Sequence, residues 1–204
     1  MAPVTPSDQT LAAGRDRRAF SRLMAATRDE LHRFVARYVG DSEEAMDLVQ
    51  ETYVAAWLAI SRYDPDRPFG AWLRVIALNK CRDWSRRRRV RRMVRGVMGL
   101  DEPAAMAIGD PAVGPDDQTH DRMVLRRVQT ALDRLPDAQK APLLLAVLEH
   151  RSHDEIAGIL RLTPKAVELR IARARKSLAR MLEAGPGGGL TCGGLSRGTP
   201  PSPA

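Results

Sequence analysis

Aromatic residues are scarce in this chain, nine in 204, and all of them fall between Phe20 and Trp84. Any core in the C-terminal half must therefore be aliphatic. Cysteine is scarcer still: Cys81 and Cys192 stand far apart with no CxxC or Cys/His cluster around them, so neither a disulfide framework nor a zinc site is indicated. No apolar run reaches the ~18 to 20 residues that span a bilayer, and the opening "MAPVTPSDQTLAAGRDRR" lacks a charged leader followed by an apolar core. The expectation is a protein of the reducing cytoplasm, neither exported nor inserted into a membrane. Also missing is any stretch that alternates apolar and polar residues for long enough to make a strand, which leaves an all-α class.

What the chain has in excess is positive charge, +8 in all. Residues 14 to 95 carry 19 Lys/Arg against 11 Asp/Glu, and residues 119 to 184 carry 13 against 8, while 96 to 118 hold five acids and no base. Two basic blocks joined by an acidic strip imply a polyanion gripped at two places, nucleic acid being the usual one. The strip mixes Gly, Pro and Asp without period and reads as a flexible acidic linker. Two helical domains are expected, 15–95 and 119–184. Residues 1–14 are expected to be a disordered N-terminus, and the Gly/Pro-rich 185–204 a disordered tail.

The second block carries a helix-turn-helix signature. A short helix, "SHDEIAGILR", and a long one, "PKAVELRIARARKSLARMLE", are joined by "RLT", with Thr163 placed to cap and Pro164 at the first helical position, where its missing N–H costs nothing. Ile156, Ala157, Leu160, Leu162, Val167 and Ile171 fall where two crossed helices must interlock. Arg161 occupies the turn position where Gly is common, a residue type disfavoured at positive φ. Arg170, Arg173, Lys176 and Arg180 recur at three and four residues, giving the second helix a basic face suited to the major groove. A solvated amphipathic pair would share the charge pattern but not the cap, proline and small residue together.

In the first block, "NKCRDWSRRRRVRR" sets eight basic residues into fourteen positions at the end of a helix. Tyr63, Phe69, Trp72 and Trp84 lie within a few turns of them, and proteins that hold unstacked nucleic acid combine these two residue types. Phe69 and Trp72 read more readily as core, Tyr63 and Trp84 as open to bases. The arginine run also fits a merely solubilising helix end. No catalytic set appears, since the acids are scattered and the four histidines show no metal spacing, so an enzyme, a cofactor and a metal are not expected.

The ordered combination of "DLVQET", an "RPFGAWL" turn, the arginine run and a helix-turn-helix ending in "RARKSL" resembles the sigma-70 family. Within it, the chain resembles the short extracytoplasmic-function (ECF) group, with a region 2 and a region 4 over roughly Ala19 to Leu182 apart from the linker. The resemblance implies a factor that binds core RNA polymerase, directs it to promoters and promotes their melting. Its implied partners are the β′ clamp helices and the β flap of the polymerase, promoter DNA and an anti-sigma factor. A helix-turn-helix regulator that is not a sigma subunit is the alternative.

Residue by residue, the resemblance assigns core-polymerase binding to Asp47, Leu48, Gln50, Glu51 and Val54. It assigns the melted minus-10 element to Tyr63, Asp64 and Arg67 on a loop and to Asn79, Lys80, Asp83, Arg86 and Arg87 on the helix after it. The minus-35 element falls to Lys165, Glu168, Leu169, Arg170, Arg173, Arg175 and Lys176. At the recognition helix the chain departs from the family's frequent Thr-Val-Lys-Ser-Arg, having Ala166, Val167, Glu168, Leu169 and Arg170, so its minus-35 preference is expected to differ.

Overall fold

The computed structural model describes residues 6–97 and 117–184, and the described residues are helical throughout apart from short connections. The linker expected over 96–118 lies outside them but for its ends, and the tail 185–204 lies outside them entirely.

The first helix corrects an expectation. Residues Pro6–Ala13 form α1 rather than part of a disordered terminus. It is too short to be stable alone, and tertiary contacts hold it: Ala12 is fully buried, and Asp8 Oδ1 accepts from Arg22 at 2.6 and 2.8 Å. Pro6 at its first position and Asp8 in its first turn were readable signals of a helix start.

Helix α2, Arg17–Val39, is capped by Asp16, whose carboxylate accepts from Ala19 N at 2.7 Å, and stops at Gly40 with φ 75°. A Cβ on Gly40 would come within 2.7 Å of the Gln129 amide nitrogen, so both conformation and crowding require glycine there. Helix α3, Ser42–Ala59, begins at Asp41, which accepts from the amides of Glu43 and Glu44. A single 3-10 turn, Ile60–Arg62, leads through a loop to α4, Phe69–Val97. Phe20, Trp57, Tyr63, Phe69 and Trp72 form one aromatic cluster with ring centroids 4.9 to 6.0 Å apart, which joins α2, α3, the loop and α4. The other aromatics complete the same block, so their confinement to it has a packing cause.

The aliphatic second block is α5 (Asp117–Arg134), α6 (Asp137–Leu148), α7 (His153–Leu160) and α8 (Pro164–Glu183). Its core is Leu132, Leu135, Leu144, Leu145, Ile156, Val167 and Ile171.

The two blocks pack against each other through polar groups that no periodicity announces. Arg74 of α4 is 1% exposed and pairs with Glu149 beyond the end of α6 and with Glu30 of α2 at 3.6 Å. Tyr38 of α2 donates to Asp137 at 2.9 Å, and burial followed by that neighbouring carboxylate raises its pKa. Lys140 lies 5.1 Å over the Tyr38 ring and bonds Asp133 at 3.1 Å; burial lowers its pKa against the pull of that carboxylate. Arg88 reaches Asp133 at 3.8 Å and the Val39 carbonyl oxygen at 3.1 Å.

Candidate nucleic-acid and polymerase interfaces

The turn between α7 and α8 is built as its residue types require. Ser152 and Glu155 form a reciprocal capping box at the start of α7, and hydrogen bonds from the Ser152 backbone and the Arg151 side chain hold the Glu155 carboxyl down at about 2. Arg161 is left-handed with φ 54° and ψ 52°, and the Leu162 amide returns to Ala157 O at 3.0 Å, closing the helix end. Thr163 accepts from Ala166 N at 3.2 Å, with Pro164 at the first position of α8. Arginine pays steric strain at this φ that glycine avoids. Arg161→Gly is therefore expected to raise stability by about 0.5 kcal/mol, net of the added unfolded-state freedom, and a thermal melt should rise by about 1 to 2 °C.

Helix α8 buries Val167, Ile171 and Ala174 against α5, α6 and α7 and turns its basic side outward. Lys165, Glu168, Leu169, Arg173, Arg175 and Lys176 are exposed and Arg170 is half-exposed. Lys165 bonds Glu168 at 2.8 Å and lowers its pKa, so that acid is ionised and already engaged by a solvated neighbour.

Along α4, Asn79, Asp83, Arg86 and Arg87 are exposed on one stripe, continued by Val90 and Arg91. Lys80 is half-buried and bonds Glu51 of α3 at 3.0 Å, which ties this stripe to the adjoining face. Arg86 is paired with Asp83 at 2.7 Å, a solvated pair of small worth that a phosphate could displace. In the loop, Asp64 and Arg67 are exposed and face each other at 3.6 Å.

Two aromatics expected to be open are interior. Tyr63 is 4% exposed, stacked among Phe69 and Trp72, and its hydroxyl lies within bonding distance of Gln9 Oε1 and, at 2.5 Å, of the Arg67 carbonyl oxygen. It cannot stack on a base and serves as the post around which the loop folds. Trp84 is 6% exposed, donates to Glu44 at 2.8 Å and lies 4.9 Å beneath the Arg88 guanidinium. Neighbouring arginines thus cover the ring that their proximity in sequence suggested they would share with bases.

On α3, Asp47, Gln50, Glu51 and Val54 are exposed on one face, as the i, i+3, i+4, i+7 spacing requires. Leu48 is 2% exposed and belongs to the core, pointing the opposite way on the same helix, so it is withdrawn from the docking set. The exposed face borders a groove of about 1310 Å³ between α2 and α3 with Met24, Tyr53 and Trp57 on its walls. Met46, Val54 and Leu58 stand exposed at its rim. The apolar rim residues Met46 and Leu58 were missed in the sequence because Met46 stands among the acids of the first half of α3 and Leu58 lies beyond Glu51, where the helix has no charged residue on any face.

Comparison with known proteins matches these elements segment by segment. The profile of Sigma-70 region 2 matches residues 23–91, and that of Sigma-70, region 4 matches residues 125–178. The RNA polymerase sigma factor CnrH of Cupriavidus metallidurans is 39% identical over 174 residues, covering 85% of this chain and 91% of that protein. The RNA polymerase sigma factor NccH of Alcaligenes xylosoxydans xylosoxydans is 34% identical over 172 residues, covering 84% and 91%. Among solved structures, CnrH in complex with the cytosolic domain of CnrY superposes with a TM-score of 0.65 at 31% identity, over 89% of this chain and 99% of that one.

The chain belongs to the sigma-70 family of RNA polymerase sigma factors, in the extracytoplasmic-function group. Its function is that of the family: a transcription initiation factor that binds core RNA polymerase and takes it to promoters.

Proposed function

We propose that the chain divides promoter recognition between α8 and the loop–α4 surface, and docks on core polymerase through α3. Lys165, Glu168, Leu169, Arg170, Arg173, Arg175 and Lys176 face the minus-35 duplex. Asp64, Arg67, Asn79, Lys80, Asp83, Arg86 and Arg87 face the minus-10 strand, with Tyr63 shaping the loop from inside. Asp47, Gln50, Glu51 and Val54 meet the β′ clamp helices, and the second block lies at the β flap. The observation that carries this reading is the presence of two largely exposed basic faces on the two segments that match regions 2 and 4. The chain performs no chemistry of its own and works in the cytoplasm; among the described residues no helix is long and apolar enough to cross a membrane. An anti-sigma factor controls it, a reading supported by the structure of CnrH in complex with a protein segment, the cytosolic domain of CnrY.

Run-off transcription with core polymerase tests the whole. The full chain plus core should start at a cognate promoter, and duplex binding without initiation would favour the alternative of a helix-turn-helix regulator. The two faces should then fail differently. Arg173→Ala removes a major-groove contact, so binding falls and minus-35 preference relaxes, by about 1 to 3 kcal/mol if the contact is bidentate. Arg86→Ala with Arg87→Ala removes phosphate contacts, so the loss is independent of sequence and the salt dependence flattens by a slope of about 0.7 to 0.9 for each contact.

A further inference from the structure

The N-terminal helix α1 sits against the 3-10 turn that opens the loop to α4, and one of its side chains touches both ends of that loop. Gln9 Oε1 accepts from the backbone N–H of Phe69, the first residue of α4, at 3.2 Å and from the hydroxyl of Tyr63. The Phe69 amide is one of the donors that a helix start leaves without a partner. Here a residue sixty positions away supplies the cap. Because Phe69 N–H can only donate, the oxygen of the Gln9 amide is the end that faces the loop. The Tyr63 proton is shared with the Arg67 carbonyl oxygen at 2.5 Å, so Gln9 Oε1 joins the loop's start to the helix that follows, and the Tyr63 hydroxyl joins them to the loop's far limb. On the outside, Asp64, Asp66, Arg67 and Pro68 are exposed, and the loop's remaining bonds are local: Asp66 N to Asp64 Oδ1 at 3.1 Å and Arg67 N to Asp64 O at 3.1 Å.

We infer that Gln9 is a positioning residue for minus-10 recognition, holding the Asp64–Arg67 limb in the shape that selects the base it receives. A loop that must fit an extruded base works only if its backbone is preorganised. The other anchors of α1, the Asp8–Arg22 pair and buried Ala12, hold the helix and leave the loop to Gln9. The inference rests on the reading of the loop as a minus-10 surface, and the experiment separates the two.

Full-length protein with core polymerase is bound to single-stranded minus-10 oligonucleotides with each base replaced in turn. Gln9→Met keeps the side chain's length and removes the acceptor, and Gln9→Glu keeps the acceptor. Gln9→Met is expected to lower base discrimination about 2- to 10-fold at the positions the loop reads and to speed hydrogen exchange at the Phe69 amide. Affinity for core polymerase and for minus-35 duplex should be unchanged. Gln9→Glu should restore discrimination, and Tyr63→Phe combined with Gln9→Met should lose more than Gln9→Met alone, because the bond to the Arg67 carbonyl oxygen goes as well. Wild-type discrimination retained in Gln9→Met, or lost equally in Gln9→Glu, overturns the inference and spares the minus-10 reading. A wild-type complex with no base preference on these strands overturns both.

Discussion

Arg74→Ala is expected to cost about 3 to 5 kcal/mol, the loss typical of removing one partner from a buried ion pair, and to loosen the contact between the two helical blocks. The guanidinium is almost wholly buried, and the Glu149 carboxylate it pairs with is 6% exposed, so the mutation leaves a buried carboxylate with only Arg151, at 3.6 Å, as its remaining cation. The Glu30 pair at 3.6 Å is half-exposed and contributes less. The ring of Phe34 lies 5.9 Å below the guanidinium and loses its cation as well. Among the described residues Arg74 Nη1 has no hydrogen-bond partner, so protein groups meet only part of the guanidinium's donor capacity. Two further variants follow from that. Glu149→Ala should be as harmful as Arg74→Ala, whereas Arg74→Met combined with Glu149→Leu should recover most of the loss, because the charges then left without this pair are half-exposed Glu30 and Arg151, which keeps Glu155 at 2.9 Å. Urea unfolding of the four proteins tests this order of stabilities. Single mutants within about 1 kcal/mol of wild type would show that water reaches the pair.

Residue order made the helices of this fold legible where one face is apolar and the ends are marked. Thr163 was readable as a cap, Pro164 as a helix start, and Arg161 as a strained turn, and each occupies that place in the structure. The basic stripes on α4 and α8 were equally plain, because an exposed charge needs no partner to be placed. The failures have one physical cause: a side chain's burial is decided by neighbours distant in sequence. Tyr63 and Trp84 looked available because arginines flank them, yet Tyr63 is enclosed by α1 and the aromatic cluster, and Trp84 by Glu44 and Arg88. Helix α1 was overlooked because its stability comes from Arg22, Tyr63 and the start of α4 rather than from its own eight residues. Arg74 is the extreme case, an arginine that no pattern would place in the core, satisfied by an acid 75 residues away.

Val54→Asp with Leu58→Asp is expected to weaken binding to core polymerase by about 30-fold or more, the level that marks an interface hot spot, while leaving the fold intact. These side chains are 61% and 70% exposed, so neither supports the core, and losing exposed apolar surface should leave the melting temperature unchanged or slightly raised. They stand at the rim of the α2–α3 groove beside Met46, and an apolar patch of this kind on a charged protein is a contact surface in need of a cover. Burying two carboxylates at this rim, beside Met46 and Trp57, adds a desolvation cost to the lost apolar contact. The polar neighbours should behave otherwise. Asp47→Ala with Glu51→Ala removes exposed charges, one of them shared with Lys80, and should mainly slow association and reduce its salt dependence. Surface plasmon resonance on immobilised core polymerase separates the outcomes, the apolar pair raising the dissociation rate and the acidic pair lowering the association rate. Minus-35 duplex binding, proposed to use α8, should be the same in all of these variants. Equal effects of both pairs on association, with dissociation unchanged, would move the anchor of the complex away from this groove.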